Sequence, residues 1–384
     1  MLPEYKQVVI DRERHFSEYA RRSMDCAGRK TSLGPDDHRT DFERDYHRTL
    51  HSLPFRRLKH KTQVFFAPKN DHICARMEHA MHVATIASTI CNHLNLNATL
   101  AEAIALAHDL GHPPFGHIGE GALKSIHKQY KLPDFMHEAH SLRIIDHFKD
   151  RAHNYTLNLT YEVRDGIVCH YGEGKEQGLQ PDRGKEIKDV GPECARKQNP
   201  ATLEGCVVRM SDRIAYLGRD YEDAVEAGII QKRLPKDIEE SLGTTNSQIV
   251  GTLIRDVIQS SKNTPDKIQF SDTLFPHYIA LLDFSIKNIY ESKKLTSQTK
   301  RIHMILKDLF DLFYEVIRRT RHDIRKRDYY NGGNMYQVFY EFFDDMGYPS
   351  ETPDAQIVSD FISGMTDNFA IRAFQELFIV SSPA

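Results

Sequence analysis

Three histidines and two carboxylates fall within thirteen residues at His108-Asp109-Leu110-Gly111-His112-Pro113-Pro114-Phe115-Gly116-His117-Ile118-Gly119-Glu120. Imidazoles and carboxylates hold divalent cations and move protons near neutral pH, so the stretch can furnish a metal site with an acid–base pair beside it. Adjacent residues in mid-helix point about 100° apart, which would keep His108 and Asp109 from meeting on one ion. At a helix end both can lean toward the same point. The dipeptide alone says little: His322-Asp323 repeats it in an arginine-rich segment without the surrounding motif, and reads as a solvated pair.

Two further segments supply groups of the right type. Arg76 and His79 lie one turn apart beside an apolar stripe at helical spacing (Ile73, Met77, Ala80, Met81, Ala84, Ala87, Cys91, Leu94). Over 201–228, Val207, Met210, Ile214 and Leu217 face a core. Asp212, Tyr216 and Asp220 recur at i, i+4 and i+8 on another side, as a cation ligand, a stacking ring and a hydroxyl acceptor would. His79, His108, Asp109 and Asp212 then offer two imidazoles and two carboxylates. A mixed nitrogen and oxygen set with open positions for water and a substrate oxygen suits one octahedral divalent ion, Mn2+, Mg2+, Fe2+ or Co2+. Such an ion acidifies water and withdraws charge from a phosphoryl group.

Helices must position these groups. Thr99-Leu100-Ala101-Glu102 has the form of a capping box, and Leu100, Ala103, Ile104 and Ala107 form one apolar face behind it. Gly111 is expected to end that helix in the left-handed conformation, with Pro113-Pro114 forbidding its continuation. The chain reads as helical from 41 to Leu53 and again from Phe55, over 72–94, from His137, over 160–171 and 201–228, then over 246–262, 269–294, 297–320, 334–345 and 354–380. No strand pair of any length and no repeat is visible, so the fold class is all-α. Residues 1–40 form a basic arm (Arg12, Arg14, Arg21, Arg22, Arg29, Lys30), read as solvated rather than as gripping a neighbouring subunit or phosphates. The core spans 41–228 and a helical region 229–384. The glycine- and lysine-rich 172–200 is too long for an ordinary connection; a surface excursion is favoured over a flap at the site. The basic run Arg318–Arg327 beside Tyr329 and Tyr330 likewise reads as a solvated face rather than a nucleic-acid grip.

Composition removes several classes of function. A net charge of −3, from 51 basic and 54 acidic side chains, gives no global attraction to nucleic acid or an acidic membrane. No apolar run has membrane length and no signal-peptide core is present. The six cysteines lack any Cys-x-x-Cys spacing, as expected of reduced thiols in a cytoplasmic protein.

Asp41–Phe65, Arg76–His79, His108–Glu120 and Leu203–Ala224, in that order, resemble the HD-domain deoxynucleoside triphosphate triphosphohydrolases over most of residues 40–225. The resemblance implies an HD-domain helical core with a helical C-terminal extension. It also implies an enzyme that hydrolyses a dNTP to deoxynucleoside and inorganic tripolyphosphate, controlling dNTP pools. Carried over position by position, it implies metal ligands at His79, His108, Asp109 and Asp212, and a catalytic histidine at His117 with Glu120 as its acidic partner and His137 as a further histidine. Arg76 would hold phosphate, with Arg213 in the same substrate pocket. Gln63 and Asp220 would meet the sugar 3′-hydroxyl, and Tyr216 would lie beneath the deoxyribose. His112 would contact phosphate or support local structure. Water would attack the α-phosphorus in line while His117, its ring fixed by Glu120, protonates the departing 5′-oxygen. Glu78, where many bacterial members carry a small polar residue, and the 172–200 excursion depart from the pattern. Also implied are a homo-oligomer up to a hexamer and a dNTP effector at subunit interfaces near the arm and Arg56-Arg57; single-stranded nucleic acid stays the alternative partner of the Arg318–Arg327 run. Two readings stay open beside it. One is an HD phosphohydrolase of mono- or cyclic nucleotides, which keeps the metal site but has no need of Gln63, Tyr216 and Asp220 together. The other is a nucleotide- or single-strand-binding scaffold, against which the complete ligand set argues.

Overall fold

The computed structural model describes residues 4–34, 36, 38–65, 72–149, 155–171, 174–231, 233–321 and 333–379. Helices dominate: α1 (Glu4–Glu13), α2 (Asp41–Leu50), α3 (Leu53–Arg57), α4 (Arg76–His93), α5 (Ala98–Ala107), α6 (Gly116–Gln129), α7 (His137–His147), α8 (Tyr161–Val168) and α9 (Leu203–Glu226). There follow α10 (Lys236–Leu242), α11 (Asn246–Lys262) and α12 (Phe275–Ser285), the last prolonged by a π-helical turn (Ile286–Tyr290). The chain closes with α13 (Lys293–Thr320), α14 (Asn334–Met346), α15 (Asp354–Ser363) and α16 (Asp367–Phe378). Two-residue strands β1 (Gly178–Leu179) and β2 (Ile268–Gln269) pair antiparallel. The all-α expectation therefore holds; this short ladder and two isolated bridges, Arg29 with Thr160 and Thr62 with Ala75, are minor additions. None of the described helices is long and apolar enough to cross a membrane.

The centre of the molecule is α5, which packs against α2, α4, α8 and α9. Leu100, Ile104 and Leu106 are fully enclosed, each worth about 1.5–3 kcal/mol of burial. Its cap differs from the expected one. Asn97, not Thr99, accepts from Leu100 N at 3.2 Å, while the Asn97 N–H donates to Glu204 at 3.0 Å. Asparagine is a strong N-cap, and here a tertiary hydrogen bond on the same residue reinforces it. On α4, Met81 is exposed rather than part of the buried stripe, which runs instead through Val83, Ile86 and Ile90.

Past the end of α5, Gly111 is not left-handed; the left-handed residues are Phe115 (φ 65°) and Gly116 (φ 58°). For a phenylalanine that conformation costs about 1–3 kcal/mol. It is held because the Phe115 N–H donates to Asp367 at 2.9 Å from the far end of the chain. The other Asp367 oxygen accepts from the Thr62 N–H at 3.0 Å and from its hydroxyl. Lys61, fully buried, donates to the carbonyls of His112 at 2.5 Å and Ser363 at 2.9 Å. The α15–α16 corner thus grips both the segment before Gln63 and the loop that launches α6.

Two expected surface segments prove to be packed. Arg21 pairs with Glu162 at 2.6 Å, and the Arg29 guanidinium is enclosed between Asp41 and Asp45. The stretch 16–29 is therefore not a solvated arm. In the excursion, Arg196 and Glu176 reach buried charges of the core, as detailed below, so it is not a mere surface loop. Of the basic run, Arg321 is committed to Asp354 at 2.6 Å. His322-Asp323, Arg325, Lys326, Arg327, Tyr329 and Tyr330 lie outside the described residues, as do 1–3 of the arm and 172–173 of the excursion.

Candidate metal centre and active site

The four proposed ligands come from α4, the turn that ends α5, and α9, and they converge. His79 on α4 places Nε2 2.9 Å from Asp212 Oδ1 on α9. His108, the C-cap of α5, places Nε2 3.9 Å from that oxygen and 3.6 Å from Asp109 Oδ2. The His108 tautomer is fixed: Nδ1 donates to the Ala105 carbonyl at 2.6 Å, leaving a lone pair on a buried Nε2 that has no protein partner. An orphaned, inward-aimed imidazole nitrogen among two carboxylates and a second imidazole fits a divalent cation. Burial alone would raise the Asp212 carboxyl, but hydrogen bonding to His79 holds it down at about 2. Asp109, likewise enclosed, is held well below the usual carboxylate range by Arg76, whose guanidinium pairs with Oδ2.

A row of imidazoles lines the next side. His112 stacks on His137 with ring centroids 4.3 Å apart and meets His117 edge-on at 5.4 Å. Burial, with Arg76 and His137 adding to it, pushes His112 well below the ordinary histidine value, so it is neutral. His137, the first residue of α7, donates from Nδ1 to Glu120 Oε2 at 3.0 Å. Burial opposes its charge, but Glu138 and Glu120 outweigh it and lift the ring to about 10. Glu120 is nearer His137 than its expected partner His117, which stands 3.9 Å away with a side chain 54% exposed. Arg196 clamps the acidic pair, at 2.8 Å from Glu120 and 2.9 Å from Glu138.

The residues expected to meet a substrate have partners of their own. Gln63 is buried with Oε1 unpartnered, and its carbonyl accepts from Arg76 at 3.4 Å. Asp220 accepts from the Tyr290 hydroxyl at 2.7 Å, and its burial pushes the carboxyl up to about 7. Tyr216 is half-buried one turn from Asp212. Arg213 is held by Glu176 at 2.7 Å, with Arg209 on the same carboxylate at 3.1 Å, so a phosphate reaches Arg213 only by displacing Glu176. Not foreseen were His170, Glu138, Arg196, Glu176, Tyr290 and Asp367. His170 alone carried a legible sign, a histidine just past the end of a helix, much as His108 ends α5.

Known proteins resemble this chain along nearly its whole length. An HD domain profile matches residues 76–217, and a phosphohydrolase-associated domain profile matches 268–376. A deoxyguanosinetriphosphate triphosphohydrolase-like protein of Desulfatibacillum aliphaticivorans is 37% identical, covering 94% of both chains. One of Caldanaerobacter subterraneus subsp. tengcongensis is 35% identical, covering 95% of this chain and 93% of its own. One of Clostridium perfringens strain SM101 is 33% identical, covering 95% and 94%. Enclosed His and Asp clusters, a helical scaffold and similarity along nearly the whole length give one answer: the chain belongs to the deoxyguanosinetriphosphate triphosphohydrolase-like family of HD-domain phosphohydrolases.

Proposed function

We propose that this protein hydrolyses deoxynucleoside triphosphates to deoxynucleoside and inorganic tripolyphosphate, using one divalent cation held by His79, His108, Asp109 and Asp212. The observation that carries the proposal is the unpartnered His108 Nε2 facing two carboxylates and a second imidazole. A cation there supplies charge withdrawal from the phosphoryl oxygens and a more acidic water. Arg76, already drawn to Asp109, holds negative charge next to that point. Gln63 and Asp220 orient the sugar through its 3′-hydroxyl, Tyr216 backs the deoxyribose, and Arg213 takes the outer phosphates once Glu176 yields. His112, kept neutral, packs the row. His117, exposed where the substrate enters, delivers a proton to the departing 5′-oxygen, while Glu120, braced by His137 and Arg196, fixes its ring. A cavity of about 600 Å³, in which Arg48, Arg56, Arg57 and Lys149 stand among mostly apolar side chains such as Phe148, Phe342 and Phe369, is the place for an effector nucleotide apart from the catalytic row.

Incubating the protein with each dNTP and Mn2+ or Mg2+, then resolving products by ion exchange, tests the reading. Tripolyphosphate supports it; no turnover of any dNTP, with orthophosphate released from a deoxynucleoside monophosphate or a cyclic nucleotide opened to its monophosphate, transfers the site to the mono- or cyclic-nucleotide reading. His117→Ala should lower kcat on the order of 10²-fold, with bound metal unchanged. A substrate ester with a p-nitrophenolate leaving group, which needs no proton, should be spared; an equal loss on both substrates removes His117 from this role.

Asp220 supplies a pH test. Its folded value lies above the ordinary carboxylate value, so the acceptor form appears only as pH rises through about 7. KM should therefore climb as pH falls below that point, and Asp220→Asn should flatten the profile. By linkage, the same shift favours the folded protein at low pH and is lost as pH rises through 7. Stability and substrate binding should thus move in opposite directions across this window.

A further inference from the structure

We propose that Glu176 is a built-in competitor for the outer phosphates: its carboxylate holds Arg209 and Arg213 in the free protein, swings out when a phosphate chain arrives, and returns to expel the tripolyphosphate product. The inference rests on the proposed cleavage of dNTPs, and it makes an ion pair of the 172–200 excursion part of the turnover cycle.

Arg209 and Arg213 lie one turn apart on the same face of α9. Their side chains are 6% and 0% exposed, whereas that of Glu176 is 49% exposed. Two enclosed guanidiniums need a counter-charge, and the Glu176 carboxylate spans both, with Oε1 3.1 Å from Arg209 Nη2 and Oε2 2.7 Å from Arg213 Nη2. Burial opposes that charge, but Arg213 and then Arg209 hold the carboxyl below its ordinary value. The Nε atoms of both arginines are buried without a protein acceptor, so the pair has donors to spare. A phosphate group offers three strong acceptor oxygens where a carboxylate offers two, and guanidiniums grip it in the same forked geometry. Glu176 therefore stands where a phosphate would.

The backbone around Glu176 is pinned on both sides. Lys175 pairs with Asp283 on α12 at 2.7 Å, Gln177 donates to Asp272 at 2.7 Å and accepts from the Phe270 N–H at 3.0 Å, and β1 follows on β2. The Glu176 carbonyl itself accepts from Arg213 Nη1 at 3.2 Å. Rotation of the half-exposed side chain into water thus frees both arginines without moving the segment, and the carbonyl keeps the Arg213 guanidinium aimed. A competitor carried on the chain acts at a fixed effective concentration. It penalises every ligand that must displace it, dNTP and tripolyphosphate alike, and spares one whose single phosphate stays at the cation. Weaker hold on a multiply charged product is what turnover needs, because uniform tight binding slows release without speeding chemistry.

The test is calorimetric binding to the full chain in saturating Mg2+, with inorganic tripolyphosphate and a deoxynucleoside monophosphate as probes. Glu176→Gln, which keeps the shape and removes the charge, should bind tripolyphosphate on the order of 10-fold more tightly, the equivalent of one charge-assisted hydrogen bond. Its affinity for the monophosphate should be unchanged. Glu176→Asp, which keeps the charge and loses reach, should fall between wild type and Glu176→Gln. Without ligand the Tm of Glu176→Gln should drop, since the enclosed arginines lose their counter-charge, and tripolyphosphate should raise it by more than it raises wild type. Unchanged or weaker tripolyphosphate binding in both variants, an equal gain for the monophosphate, or equal Tm gains in variant and wild type overturns the proposal. The two readings fail separately. Tripolyphosphate release from dNTPs by a protein whose variants bind that product no more tightly sinks the competitor alone, whereas tightened binding without tripolyphosphate release sinks the reaction alone.

Discussion

Replacing His108 by alanine should abolish turnover. Release of tripolyphosphate should fall on the order of 10³-fold or more, because a cation contributes several kcal/mol of transition-state charge stabilisation and each 1.4 kcal/mol is tenfold. The ring makes one hydrogen bond to the backbone, at Ala105, and offers everything else to the site. Its removal therefore strikes the cation harder than the fold. Asp212→Asn should reproduce the loss while preserving side-chain shape, and wild type treated with chelator should fall to the same residual rate. Adding Mn2+ back should restore only wild type. Full activity in His108→Ala, or in wild type under chelator, would leave the proposed chemistry without support.

The second large effect is steric. A methyl group at Gly111 would lie 2.0 Å from Ser141 N and 2.5 Å from His137 O, backbone atoms of α7 that cannot rotate away. The close approach is fixed on both sides, since Gly111 N–H donates to Ser141 Oγ at 2.8 Å and that hydroxyl donates to the His108 carbonyl at 2.6 Å. Gly111→Ala must push α7 outward, carrying His137 with it. Overpacking of this kind costs about 3 kcal/mol or more, and a shift of about 1 Å in a catalytic group costs on the order of 10²-fold in rate. Both a lower Tm and a lower kcat are expected. Gly251→Ala on α11, where a methyl group meets nothing within 4 Å, is the matched control and should leave kcat untouched and Tm equal or higher, since alanine favours a helix interior over glycine. Equal melting of the two variants would refute the argument.

Gly111 also shows why some of the site was legible in sequence and some was not. A glycine after a helical run signals a left-handed stop, yet here the need is for an absent side chain, and only the partner helix 30 residues on reveals it. His79, the His108-Asp109 pair and Asp212 were readable because each is a polar interruption in apolar periodicity. A buried polar group requires a partner, and three such groups imply one another. His170 obeys the same rule, but a single histidine at a helix end has no local motif to raise it above a satisfied core residue. Arg196 and Glu176 lie in irregular backbone without any period, so nothing in their surroundings foretold the buried charges they reach. Most helices were legible, but α1 and α10 were not expected, and the run expected over 269–294 opens on β2 and becomes helical only at Phe275. The break between α15 and α16, where Gly364–Thr366 interrupt the run expected over 354–380, is where the chain turns to present Asp367.

That aspartate bears on how this protein could be dissected or recombined. All proposed ligands lie before residue 227, yet the conformation of the Phe115 turn and the seating of Thr62 depend on a carboxylate more than 250 residues downstream in sequence. The ligand-bearing half is thus not a transplantable module. Grafted onto a foreign C-terminal half, it would keep every donor atom and lose the tether that aims them, so the two halves must be inherited, or engineered, together.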